Sequence, residues 1–192
     1  TKYRMEMTTE PDHNAFAQSQ TSLQELSRYD NERQNAKLYL LRSALNRAVY
    51  DYSAAIQDVR EAIRLDSLSL SAWLQYAVLA ADIQRSGNSN AETAVNIPEL
   101  YSHALRLSSQ NACIYYNRGC YFAQMKNEKA AEADFSKAIE LDNRMAEAYY
   151  NRAVLHLLSG ESEKAIPDLS KAGELGLYKA YNLIKQNRQG KK

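Results

Sequence analysis

The chain has 192 residues, enough for one compact domain or for a repeat array of similar mass. Its 24 Lys and Arg nearly balance 23 Asp and Glu, and a formal net charge of +1 offers no long-range attraction to nucleic-acid phosphate or an anionic membrane surface. No apolar run approaches the roughly 18 residues of a membrane span.

Taken from the N-terminus, residues 1–35 read as an arm. A start at Thr1 rather than Met suggests a processed or truncated chain. Thr1 to Asn14 contains Pro11 and has no apolar period, which predicts disorder there. Leu23, Leu26 and Tyr29 predict a helix over about Thr21 to Gln34. Two readings stand for it: the second helix of an earlier, degenerate repeat, or a simple cap.

Four units follow, beginning near Ala36, Leu70, Ala112 and Ala146 and spanning 36–69, 70–111, 112–145 and 146–179. Tyr115-Tyr116-Asn117-Arg118-Gly119 returns as Tyr149-Tyr150-Asn151-Arg152-Ala153, thirty-four residues on. Tyr39 and Trp73 stand the same distance apart. The second unit is eight residues longer, and Arg85 to Asn90, polar and glycine-containing, reads as the inserted loop. Each unit divides into two helices. In the third these are Cys113 to Met125 and Ala130 to Leu141, with the turn at Lys126-Asn127-Glu128. Ser159-Gly160 breaks the fourth. Pro98 and Pro167 are expected near the starts of second helices, where the first N–H groups have no partner to lose. Lys179 to Gln186 predicts a final amphipathic helix carrying Tyr181, Leu183 and Ile184, and Asn187 to Lys192 a polar, frayed tail.

Small residues recur at fixed places: Ser43, Ala77, Gly119 and Ala153 in first helices, and Ala55, Ala131 and Ala165, then Ala62, Ala104, Ala138 and Ala172, in second helices. Helices cross closely only where neither side chain is large. Three units also place an Arg sixteen residues before an Asp: Arg42 and Asp58, Arg118 and Asp134, Arg152 and Asp168. The second unit replaces both members, with Tyr76 and Leu100. The joint replacement favours ion pairs clasping the two helices over solvated surface charges.

These residues resemble the tetratricopeptide repeat family over about 36–179. The sequence departs from that family at Ile97, where a small residue is usual, and at Ser67, Ser108, Asn143 and Leu177, where Pro usually ends the repeat. The resemblance implies an all-α, right-handed superhelical solenoid of helix-turn-helix repeats, closed by the C-terminal capping helix. It implies a concave groove lined by first helices. Its candidates are Leu40, Ala44, Arg47, Leu74, Gln75, Val78 and Asp82, then Cys113, Tyr116, Asn117, Cys120 and Gln124, then Tyr150, Asn151, Val154, Leu157 and Leu158. The Asn117 and Asn151 amides suit a peptide backbone, since each donates and accepts.

The function so implied is non-enzymatic binding of an extended peptide or helix of a protein partner. The alternative is a structural or oligomerisation module whose groove is filled in cis. The basic clamp of chaperone-tail binders is missing at Leu40, Ala44, Gln75, Cys113 and Asn117, so an acidic chaperone tail is not expected. Neither is nucleic acid, which needs a basic face, nor membrane insertion. No cofactor, metal or catalytic group is expected. His156 falls at a packing position and His103 on a second helix facing solvent. Cys113 and Cys120, about 10 Å apart on one helix, are too far apart to pair and have no His within a turn. Two such thiols leave the compartment open.

Overall fold

The computed structural model describes residues 13–26, 35–88 and 94–189. Among them are ten α-helices and no strand. In chain order these are α1 (His13–Leu26), α2 (Ala36–Ala48), α3 (Tyr52–Leu65), α4 (Leu70–Ser86), α5 (Ile97–Leu107), α6 (Ala112–Gln124), α7 (Glu128–Leu141), α8 (Ala146–Leu158), α9 (Ser162–Glu174) and α10 (Lys179–Gln189).

Local chemistry sets many of the starts. Asn35, Asp51, Ser69, Asn96, Asn111 and Asn127 each accept a hydrogen bond from a backbone N–H of the first turn that follows. Pro98 sits in the first turn of α5, where it removes no helical bond. Gly87 ends α4 in the left-handed conformation, at φ 75°. Inside three hairpins one residue of the turn is also left-handed: Tyr50, Lys126 and Gly160. Only the last is glycine.

Three local expectations need correction. Helix α1 begins at His13, upstream of the expected start at Thr21, and its described part runs to Leu26. Residues 27–34, Tyr29 among them, lie outside the described ones, as do 1–12 and 190–192. Pro167 is the sixth residue of α9, past the first turn, so it deletes the bond that an N–H there would give Glu163. Asn187 to Gln189 continue α10 instead of fraying, helped by Ser162 Oγ, which donates to Asn187 Oδ1 at 3.2 Å.

The helices form two compact units, α1–α5 and α6–α10. In the first, α1 packs on α2, α2 on α3, α3 on α4 and α4 on α5. In the second, each helix from α6 to α10 packs on the next. Within each unit the first helices of its two hairpins also touch, α2 with α4 and α6 with α8.

The small residues lie where the helices cross. Ser43, Ala77, Gly119 and Ala153 are buried, and so are Ala55, Ala62, Ala131, Ala138, Ala165 and Ala172. Ser43 Oγ donates to the Ala55 carbonyl across the crossing at 2.8 Å, so its hydroxyl is satisfied there. At Gly119 a Cβ would stand 2.9 Å from the Phe135 ring. Ile97 escapes the size limit because it is the first residue of the 11-residue α5. Ala55 and Ala131 are each fourth in the 14-residue α3 and α7. Ile56, Leu79, Ile83, Tyr101, Phe135 and Leu169 fill the space between helices. Each stabilises the fold by about 1.5–3 kcal/mol.

An Arg–Asp pair joins the two helices of three hairpins. Arg42 meets Asp58 at 2.6 Å, Arg118 meets Asp134 through Nε and Nη2 at 2.7 and 2.8 Å, and Arg152 meets Asp168 in the same two-pronged way at 2.7 Å. The carboxylates are buried and the guanidinium groups partly so, the geometry in which such pairs are strongest. The hydrogen bonds to Asp168 hold the Arg152 guanidinium above its usual pKa. In the second hairpin Tyr76 and Leu100 occupy these places and are buried at 6% and 8% exposure. The substitution keeps a different tie. Arg152 Nη1 reaches back to Ser136 Oγ on α7 at 3.0 Å, and Tyr76 accepts from Arg60 Nε on α3 at 2.9 Å, each across sixteen residues.

Two measurements check this packing. Gly119→Leu is expected to cost between about 1 and 3 kcal/mol in urea unfolding, because the crossing at Phe135 cannot widen freely. Arg118→Tyr and Asp134→Leu should each destabilise alone, while the double variant, which copies Tyr76 and Leu100, should lose less than their sum by about 1–3 kcal/mol. Strict additivity would place the two groups out of contact.

Candidate functional site

In the N-terminal unit α2 and α4 lie side by side, and their facing stripes meet along a seam. Gln75 Nε2 donates to the Leu40 carbonyl at 2.8 Å at one end. Arg47 pairs with Asp82 at the other end, and Arg85 reaches the same carboxylate at 2.9 Å. Between these ties Leu40, Leu74 and Val78 are half-buried and Ala44 is exposed. Leu41, beside Ala44, is 48% exposed. The result is a shallow apolar strip with a charged cluster at the C-terminal ends of its helices. Arg85, read in the sequence as the start of a loop, closes α4 instead.

In the C-terminal unit the corresponding stripe is largely interior, which corrects the sequence reading. Tyr150, Val154 and Leu157 share one apolar cluster with Ala180 and Leu183, so the capping helix α10 covers them. Lys179 of α10 also stands over the Tyr150 ring at 5.2 Å. Cys120 packs with Phe135 and Leu155, with Tyr116 beside them. Asn151 has 0% exposure, and its Nδ2 donates to Tyr116 Oη at 3.2 Å and toward Cys120 Sγ at 3.5 Å. It acts as a buried link between α8 and α6, not as an open amide. Asn117 is half-buried and gives its Nδ2 to the Cys113 carbonyl of its own helix at 2.8 Å. Cys113 and Leu158 are exposed, and Gln124 is half-buried with its Oε1 enclosed and without a donor among the described residues.

The histidines have structural surroundings. His156 is buried, its Nδ1 3.2 Å from Glu161 and its Nε2 3.7 Å from Glu132, so it bridges α8 to both neighbouring helical segments. His103 is partly exposed rather than free in solvent. It stacks on Trp73 with ring centroids 3.8 Å apart, and its Nδ1 lies 3.0 Å from Arg106. Sequence spacing gave no sign of that stack, which depends on how α5 folds back on α4. Among the described residues no group of His, Cys, Asp and Glu could hold a metal ion, and no helix is long and apolar enough to cross a membrane. Burial pushes the Cys120 thiol up to about 12, against the smaller pull of its hydrogen bonds from Tyr116 and Asn151.

Paired helices crossing at small residues, stacked in series, define an α-helical hairpin-repeat protein. Residues 114–144 and 146–175 match the tetratricopeptide repeat family, so this part of the chain carries two such repeats. Among solved structures it is similar to TTC0263, a thermophilic protein of this type from Thermus thermophilus. The two are 17% identical with a TM-score of 0.69, over 85% of this chain and 86% of that one. It is also similar to MamA from Desulfovibrio magneticus RS-1, at 13% identity and TM-score 0.66 over 82% and 85% of the two chains. A further MamA structure is 23% identical with a TM-score of 0.65, over 81% and 82%. These likenesses establish the all-helical solenoid fold. No curated protein matches the sequence.

The two thiols are expected to behave differently. In the native protein at neutral pH iodoacetamide should alkylate Cys113 and spare Cys120, with both reacting in urea, as read by peptide mass spectrometry. Because the folded state holds the Cys120 proton more tightly than the unfolded state, its stabilising contribution is present below the ordinary thiol pKa and is lost as pH rises toward 12. Asn151→Ala should lower the urea midpoint, since it leaves a cavity and strips Tyr116 of a donor.

Proposed function

We propose that the chain is a non-enzymatic interaction module, and that the α2/α4 strip takes an extended peptide or one face of an amphipathic helix from a protein partner. The observation that carries this reading is the contact between successive first helices. It aligns Leu40, Ala44, Leu74 and Val78 into one partly open apolar strip on a rigid support. Covering that strip removes apolar area from water at about 25 cal/mol per Å². Tight crossings beneath it mean that little ordering cost falls on the protein when a ligand binds.

The C-terminal unit supports a different use of the same architecture. There α10 fills the stripe of α8 in cis through Ala180 and Leu183, as in the alternative of a structural module. Binding by that unit is confined in this proposal to Cys113, Asn117 and Leu158, which stay at least partly open.

The test is selection from a displayed library of random peptides about a dozen residues long, followed by amide chemical-shift mapping with a selected peptide. Shifts should concentrate on α2 and α4. Ala44→Arg, a change at an exposed position that leaves the core alone, should weaken binding more than tenfold, or about 1.4 kcal/mol. Shifts confined to α3 and α5, or affinity unchanged by Ala44→Arg, would remove the strip from the function.

A further inference from the structure

Charge is distributed unevenly over the helices that line the two stripes. Helix α2 carries Lys37, Arg42 and Arg47 and no acidic residue. Helix α4 carries Arg85 and a single carboxylate, Asp82. Arg42 turns to Asp58 within its hairpin, away from the strip. Asp82 is buried and receives guanidinium groups from two sides, Arg47 from α2 and Arg85 from its own helix. In the C-terminal unit, by contrast, Arg118 and Arg152 are the arginines of α6 and α8, and each is paired with an Asp of its own hairpin. The cationic bias therefore belongs to the N-terminal strip, within a chain that is almost neutral as a whole.

Arg85 is the more exposed of the two guanidinium groups in this cluster, at 38% against 32% for Arg47. Its side chain donates one N–H to Asp82 Oδ1 at 2.9 Å, with no other hydrogen bond among the described residues. A guanidinium presents five N–H donors in a fixed fork. The contact with Asp82 fixes the side chain and leaves most of that fork directed elsewhere. Val78 lies on the same helix about two turns before Arg85, and Leu74 one turn further back, so the apolar strip runs up to the guanidinium.

We infer that the segment bound at the α2/α4 strip carries a side-chain carboxylate beside an apolar residue, with the apolar residue over Ala44 and Val78 and the carboxylate on Arg85. This rests on the function proposed above and names the chemistry of its partner. A side chain fits better than a chain terminus. At the opposite end of the seam the Gln75 amide already donates to the Leu40 carbonyl, and Lys37, one turn before Leu40 on α2, is a lone cation rather than a cluster of donors closing on a terminal carboxylate.

The peptide selection, run on the full chain and in parallel on Arg85→Gln, tests the inference. Peptides enriched on the unaltered chain should pair Asp or Glu with a nearby apolar residue, and that acidic preference should vanish on the variant. Synthetic, C-terminally amidated copies should lose roughly threefold to tenfold in affinity when the acid is changed to its amide or when Arg85 is changed to Gln. Circular dichroism establishes that Arg85→Gln folds, and the loss on changing the peptide's acid is read on the unaltered chain. Peptides that Ala44→Arg displaces but that are indifferent to both exchanges overturn the acidic partner and leave the binding strip standing. Affinity lost on amidation alone assigns the site to a chain terminus and overturns the inference. A library from which nothing binds at the strip overturns both.

Discussion

The distance between crossing helices governs everything else in this protein. Gly119 against the Phe135 ring, Ser43 against the Ala55 carbonyl, and the alanines at 77, 131, 153 and 165 all mark places where two backbones approach too closely for a larger side chain. At those points the pairwise dispersion contacts are dense. A solenoid has no single central core, so each hairpin must acquire its stability from its own crossing and from its neighbours. Phe135, Leu169, Leu79 and Ile83 then fill the gaps that the crossings define.

Polar ties set the orientation of helices whose spacing is already fixed. The Arg–Asp pairs bind the two helices of a hairpin at a defined register, and their aromatic neighbours Tyr39, Tyr115 and Tyr149 lie 5.0 to 5.9 Å from the guanidinium carbons. The second hairpin shows that the same place can be held without charge. Tyr76 and Leu100 supply apolar contact, consistent with the small net gain of buried ion pairs over well-packed hydrophobic groups. Tyr76 also keeps the link to the preceding helix through Arg60. Cohesion between neighbouring hairpins is thus preserved where the clasp within the hairpin is given up.

The two units turn the same repeat to different ends. In the C-terminal unit α10 closes over Tyr150, Val154 and Leu157, and Asn151 is drawn into a buried link with Tyr116. In the N-terminal unit no such closure occurs among the described residues over Ala44, Val78 and Leu41, which remain partly open. The apolar strip there ends at a cationic cluster.

The amino-acid order by itself determined the helical class, the hairpin repeat and the residues at the crossings. Those follow from local periodicity and from the size limit at close contacts, and both are written in the spacing of Tyr115 and Tyr149 or of Ala131 and Ala165. The sixteen-residue interval between Arg and Asp is likewise local to one hairpin, so the partners across it could be read. Tertiary structure alone decided which of the repeated positions stay open. Asn117 and Asn151 are equivalent in sequence, yet one bonds to its own helix near the surface and the other is sealed between helices. His103 on Trp73 and Arg47 on Asp82 belong to the same class of outcome. Exposure is a property of the neighbours packed around a residue, and a repeat assigns the same residue type to positions whose neighbours differ.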